Sequence, residues 1–212
     1  MTRKWIGYIG GGSLMCAALG CGILYTRQAR LRQEISDKVL RFHVLANSDS
    51  EADQNLKLAV RDAVGSFMQE KLTAVENLEE CEMVVRQSLG EIEEAAAETI
   101  AENGYDYDVT AELEHTSFPV KNYGSYTFPA GDYEALRIVI GEGNGHNWWC
   151  VMYPNMCFSD SMYEVVDKEA GEKLREVLTT EEYEKVLAEG DYQVRMKYFS
   201  WLNPYLEKLA EN

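Results

Sequence analysis

A chain of 212 residues, 46% hydrophobic, with thirteen Tyr, four Trp and six Phe against four Pro, holds enough bulky apolar material for one core and is not wholly disordered. Residues 1–33 contain five bases and no acid, so residues 34–212 carry all 36 acidic residues against 15 basic ones. A domain that acidic repels phosphate backbones, and with no basic stripe in its sequence nucleic-acid binding is excluded; the plain consequence of the charge is solubility.

Residues 5–25 are free of charge. As a helix rising about 1.5 Å per residue they reach about 30 Å, the thickness of a bilayer's hydrocarbon core. Six glycines (Gly7, Gly10, Gly11, Gly12, Gly20, Gly22) weaken a helix in water but are tolerated in a membrane. Ala18-Leu19-Gly20 has the small-x-small form of a signal-peptidase site, so an uncleaved anchor and a cleaved signal peptide both stay open. With Cys21 the same run forms a degenerate lipoprotein box, and basic residues on both sides leave the orientation open. The division expected is residues 1–33 as membrane anchor or signal segment and 34–212 as an extracytoplasmic acidic domain.

The charged residues 26–37 continue the first helix, and residues 39–46 read as a strand ended by Asn47-Ser48-Asp49. Ser50 with Asp53 approximates a capping box, and Leu56, Ala59, Val60, Ala63, Val64 and Phe67 then recur on one helical face. Asn77 with Glu80 starts a second helix, whose face of Leu78, Cys81, Val84, Val85, Leu89 and Ile92 runs toward a stop at Asn103-Gly104. Within it Cys81 is expected to be buried and inert.

Residues 105–116 alternate cleanly, with Tyr105, Tyr107, Val109, Ala111 and Leu113 on one side and acids and Thr on the other. Residues 133–140 and 147–153 are β-favouring and flank the glycine-rich run 141–146, a pattern that predicts a hairpin with an elaborated loop. Cys150 and Cys157 flank the turn-forming Pro154-Asn155, which leaves either a disulfide in an oxidising compartment or two buried thiols. Helical pattern returns beyond Asp167, a last strand is read at 193–199, and Asn203-Pro204 opens a short terminal helix. The fold class expected is α+β, a mostly antiparallel sheet packed with helices and preceded by the N-terminal membrane or signal helix.

Three histidines are candidates for acid/base chemistry: His43 and His115, read as partly exposed strand residues, and His146 in the glycine-rich loop with Glu142, four residues before Cys150. A Cys-His pair needs contact and an orienting third group, which that spacing does not ensure. The glycine loop lacks the Lys and Ser/Thr of a phosphate loop and leads into a strand, and residues 47–53 lack the turn Gly and twelfth-position Glu of a calcium loop. No catalytic residue, metal or cofactor is therefore nominated. The adjacent Trp148 and Trp149 must point to opposite faces of a regular strand, one of them available to a partner unless both are covered by helices.

Two stretches, RFHVLANSDSEADQNLKLAVRDAV and YGSYTFPAGDYEALRIVIGEGNGHNWWCVMYPNMCF, resemble the stage II sporulation protein R family of endospore-forming bacteria. The resemblance covers about residues 38–160. It implies a signal made in the forespore and exported into the space between forespore and mother cell. There it would activate the membrane-embedded aspartic protease that processes pro-sigma E, with no catalysis of its own. The contact residues nominated on the two stretches are Asn47, Asp49, Asp53 and Arg61 in the first, and Tyr123, Tyr126, Gly131, Tyr133, Glu142, Asn147, Trp148 and Trp149 in the second. Two rivals are an extracytoplasmic hydrolase of wall or peptide with His146, Glu142 and Cys150 at its site, and a membrane-tethered structural component of the septum.

Overall fold

A computed structural model describes residues 22, 25–156 and 168–187, with side chains from 171 onward in the last stretch. The apolar run, save two of its residues, and the elements read at 193–199 and 203 lie outside these. Among the described residues no helix is long and apolar enough to cross a membrane.

Helix α1 covers residues 25–36 and leads into strand β1, Leu40–Leu45. Helix α2, Glu51–Leu72, starts where Ser50 accepts the Asp53 N–H, and α3, Leu78–Glu102, where Asn77 accepts the Glu80 N–H. Each cap satisfies a first-turn amide that has no partner within its helix. Strand β2, Val109–Phe118, is followed by the short β3, Lys121–Tyr123, and β4, Tyr126–Phe128, and then by the long β5, Gly131–Ile140, and β6, Asn147–Tyr153. Helices α4, Lys168–Val177, and α5, Thr180–Leu187, follow.

The main sheet has the order β2-β5-β1-β6. β1 runs parallel to β5 and antiparallel to β6, while β2 and β5 are antiparallel, so the sheet is mixed. This corrects the predicted hairpin: β5 and β6 do not pair, because β1 lies between them and the 141–146 loop passes over its end. β1 can take that central place because Leu40–Val44 are all buried, a near-continuous buried run of the kind found in strands covered on both faces. β2 starts later than the alternation implies: Tyr105 and Tyr107 precede it and stack on each other at 5.4 Å.

One face of the sheet presents Leu40, Phe42, Val44, Ala111, Leu136, Ile138 and Ile140 to α2 and α3. Those helices answer with Leu56, Val60, Val64, Val85, Ile92 and Ala96 at the predicted spacings. Cys81 is buried there, and its thiol is pushed up to about 12 by burial and then by Glu82, so it is inert as a nucleophile. The other face is covered near its Arg41 end by Ile35, by the β3–β4 ribbon, and by Leu174, Leu178, Tyr183 and Val186 of α4 and α5. Thr179 and Glu182 form a reciprocal capping box at the start of α5, and Lys38 donates to the same Glu182 carboxylate at 2.6 Å.

Candidate functional site

Most of the nominated residues gather at two places. The first is a clasp at the C-terminal end of β1, where the 46–50 turn meets the 141–146 loop. Asn47 Nδ2 and Ser48 Oγ donate to Asp53 Oδ2 at 3.0 and 2.5 Å, and Tyr107 OH donates to Asp53 Oδ1 at 3.2 Å. Asn47 Oδ1 accepts the Glu142 N–H at 3.0 Å, so one amide side chain ties both loops to the start of α2. Backbone bonds from Asn144 N to Asn47 O (3.1 Å) and Gly145 N to Ala46 O (2.9 Å) close the clasp. Lys57, buried on α2, donates to His146 O at 3.0 Å.

Two glycines make the approach possible. Gly141 has φ +57°, and a Cβ there would lie 2.3 Å from Asn47 Oδ1; a Cβ on Gly145 would lie 2.2 Å from the Ser48 carbonyl oxygen. The glycines of this loop thus allow close backbone contact, in place of the phosphate cradle already excluded by sequence.

Asp49 is exposed and accepts the His146 N–H at 2.7 Å, with His146 Nδ1 on the same oxygen. The backbone bond from His146, then its ring, hold the Asp49 carboxyl below 3.8. The Asp53 carboxyl is held below the same value by Ser48 and then Asn47. A depressed carboxylate contributes stability that is present above the unfolded value and lost as pH falls through the folded one, so the clasp loosens only below about pH 3.8.

The second place is the face of the sheet turned away from α2 and α3. Arg41 and His43 of β1 point there, both buried, at 0% and 3% exposure. His43 stacks on Trp149 with ring centroids 5.0 Å apart and planes 11° from parallel. This corrects the reading of His43 as a partly exposed strand residue: β1 is central and Trp149 covers the imidazole. Four rings surround the Arg41 guanidinium, Phe118 at 4.5 Å, Tyr133 at 5.0 Å, Phe128 at 5.3 Å and Tyr123 at 5.7 Å. Lys121 Nζ lies 5.5 Å from the Trp149 ring centre, and Arg137, next to His43 on β5, reaches Glu114 at 3.6 Å and Glu112 at 4.0 Å.

Burial, followed by the charges of Arg137 and Arg41, drops the His43 pKa from 6.5 to about 4. The unfolded chain therefore binds a proton that the folded chain refuses, and stability falls as pH drops from 6.5 toward 4. Between pH 7 and pH 5 the protein is expected to lose about 2 kcal/mol through this group. His43→Phe, which keeps a ring against Trp149, abolishes that part of the loss; urea midpoints at the two pH values measure it.

Trp148 and Trp149 lie on opposite faces, as the strand period requires, and each is half-buried. Trp148 meets Phe42 edge-on at 5.4 Å and carries the Arg61 guanidinium 5.1 Å from its ring centre. Of the nominated residues, Asp49 and Glu142 are exposed, and Asn47, Tyr123, Tyr126, Gly131, Asn147, Trp148 and Trp149 are half-buried. Asp53, Arg61 and Tyr133 are buried, and their side chains hold the fold: Tyr133 OH donates to Pro129 O at 2.7 Å. Cys150 is buried on the α2–α3 face and disulfide-bonded; Cys157, the partner the sequence nominates, lies outside the described residues. A disulfide sulfur is no nucleophile, and His146 is engaged with Asp49, so the His146, Glu142 and Cys150 constellation does not assemble as a hydrolytic site. His115 is exposed, 3.6 Å from Glu134. Among the described residues no group of three His, Cys, Asp or Glu side chains converges as a metal ligand set.

Sequence reading passed over Arg41, Lys57, Ser48, Tyr107, Phe118 and Lys121. Arg41 had a signal: with His43 it places two ionisable side chains two residues apart in an otherwise apolar strand. Ser48 acts locally, on Asp53 five residues on, while Lys57, Tyr107, Phe118 and Lys121 act through contacts between segments distant in sequence, which no local pattern displays.

A mixed four-stranded sheet, with α2 and α3 on one face and on the other a buried cluster of Arg41, His43 and aromatic rings beside the β3–β4 ribbon, α4 and α5, defines the class as an α+β domain built round a clasp of two loops. The chain belongs to the stage II sporulation protein R family, whose description matches residues 36–163. It is 41% identical over 147 residues to the stage II sporulation protein R of Bacillus subtilis (strain 168), covering 67% of this chain and 66% of that protein, just under two thirds of its length. No solved structure matches the chain. The matched stretch contains the six described strands, the clasp and Arg41 with its surrounding rings.

Proposed function

We propose that this sporulation protein is an intercellular signal. It is exported from the forespore into the intermembrane space, where it activates the membrane-embedded aspartic protease that processes pro-sigma E in the mother cell. Family membership over the whole sheet carries this reading. Two features support it. The apolar residues 5–25 supply a means of delivery to the membrane, as anchor or signal peptide, and the Cys150 disulfide fits an oxidising extracytoplasmic compartment.

The chain acts by binding and carries out no catalysis. It stabilises an active arrangement of the protease, and it shifts that equilibrium only as far as its affinities for the two arrangements differ. Among the nominated contacts with accessible surface, the exposed Asp49 and Glu142 on the clasp and the half-buried Trp149 on the sheet are where the protease docks.

The chain is expected to co-purify with the detergent-solubilised protease from a host that makes both. Glu142→Arg weakens the association about tenfold, as loss of a central interface contact does, while Glu98→Arg on the exposed side of α3 leaves it unchanged. No association, or equal loss with both variants, contradicts the proposal.

A further inference from the structure

Arg41 is fully buried and no carboxylate lies within hydrogen-bond reach of it among the described residues. One nitrogen, Nη2, donates to Tyr123 OH at 2.9 Å; Nε and Nη1 have no partner among the described residues. Both ring nitrogens of the neighbouring His43 are also without partners. Native proteins seldom leave buried donors unpaired, and a buried charge without a counter-charge is more costly still. Cation–π attraction to the four rings offsets part of that cost, but it acts through ring faces and gives the N–H groups no acceptor. These side chains do not complete the fold; they are provided for something else.

We propose that Arg41, with His43 beside it, binds the carboxylate of an acidic peptide segment of a partner protein, admitted when the β3–β4 ribbon lifts from the sheet. The chemistry selects the ligand. A guanidinium fork matches a carboxylate, and the free Arg41 N–H directions with one imidazole N–H suit two oxygens. A phosphate would leave further acceptor oxygens against aromatic rings. Lys121 adds a positive charge beside the site, 5.5 Å from the Trp149 ring centre, whereas Arg137 is already engaged by Glu112 and Glu114 and adds none. Burial lowers the pKa of both Arg41 and His43, and an incoming carboxylate works against that shift in each.

The ribbon supplies the route. Its two three-residue strands pair with each other and not with the strands of the main sheet, so lifting it breaks no ladder of that sheet, though it gives up the burial of Phe128 and the Tyr126–Tyr183 bond. Tyr123, on the ribbon, is the single acceptor on Arg41 among the described residues, so lifting exchanges a neutral hydroxyl for a charged oxygen.

The test is nuclear magnetic resonance of the full chain in detergent micelles, titrated with a capped tetra-glutamate peptide and, at matched ionic strength, a capped tetra-glutamine peptide. Saturable shifts of the Arg41 Nε–H and the His43 ring are expected with the glutamate peptide alone; no saturable shift, or equal shifts with both, overturns the proposal. Arg41→Met is expected to weaken binding at least tenfold with an unchanged or higher melting temperature, since an apolar residue of similar length suits a buried aromatic box. Retained binding by a folded Arg41→Met protein overturns it too. Should Arg41→Met fail to fold, Tyr123→Phe decides. With the competing hydroxyl gone the glutamate peptide binds at least threefold more tightly, and unchanged or weaker binding contradicts the site.

Discussion

Gly145→Ala is expected to lower stability by about 3 kcal/mol, a large effect for one added methyl group. The new Cβ would sit 2.2 Å from the Ser48 oxygen, 2.6 Å from its carbonyl carbon and 2.9 Å from the Ala46 Cβ. The first two are backbone atoms at the end of β1, so relief requires the two loops to part. Parting them breaks the bonds from Gly145 N to Ala46 O and from Asn144 N to Asn47 O and draws Glu142 N off Asn47. For a chain of this size that is a fall in melting temperature of roughly 6–12 °C. Gly90→Ala provides the contrast. A Cβ there meets nothing within 4 Å, and the residue is exposed inside α3, so the exchange stabilises by about 0.5–1 kcal/mol through helix propensity alone. Thermal unfolding of the two variants beside the parent measures both signs, and a Gly145→Ala protein as stable as the parent contradicts the clasp as described.

Asp53→Ala is expected to cost about 2–4 kcal/mol, because it removes the shared acceptor of three donors, two on the 46–50 turn and one ahead of β2. Asn47, Ser48 and Tyr107 would each keep a donor in a part-buried setting with its former partner gone. The first turn of α2 also loses one of its two carboxylates, which face the positive end of the helix dipole. Asp53→Asn keeps the shape but presents an amide whose NH2 group faces donors, so it recovers less than half of the loss. Urea midpoints read the cost, and amide hydrogen exchange shows where it falls: protection is expected to drop at Asn144 and Gly145, far from residue 53 in sequence. A loss confined to the N-terminus of α2 would mean that Asp53 serves only as a capping-box residue.

That last contrast marks how much could be read from the chain by itself. Both long helices, their caps at Ser50 and Asn77, the stop at Asn103-Gly104 and the span of β6 were legible, because each is written in local spacing or in a capping residue. The order of the strands was not. Residues 133–140 and 147–153 with a glycine-rich link carry the local signature of a hairpin, and nothing local says that β1, some ninety residues earlier, slots between them. The apolar Val39, Leu40, Phe42, Val44 and Leu45 were the available clue to the burial of β1, but Arg41 and His43 interrupt the run and make it read as half-exposed. Of the site, Asn47, Asp49 and Glu142 were named from the two stretches, and the structure bonds Asn47 to Glu142 and Asp49 to His146 across ninety-five and ninety-seven positions. Asp53 was read as a helix-cap residue and named as a contact, yet its burial gives it a wider structural role. Arg41 was missed because the pairing it lacks is visible only once its surroundings are in place.

The clasp and the cationic face divide the work between them. The first holds the loops rigid at one end of the sheet, so that Asp49 and Glu142 are presented in a fixed relation to Trp149; the second holds Arg41 and His43 beneath a ribbon that is not part of the main sheet. The proposed action by differential binding would gain from such presentation, because each contact ordered before the encounter reduces the entropy lost on binding.

The measurement that bears most directly on the signalling role is reconstitution in a non-sporulating host. The chain is produced with the aspartic protease and its pro-sigma E substrate, with and without residues 1–33, the truncated form being exported by a foreign signal sequence, and loss of the pro-sequence is scored. The account predicts cleavage only when this chain is present, and cleavage retained by the exported form that lacks its own first segment. Uncleaved pro-sigma E with all three proteins folded and present would contradict the signalling role.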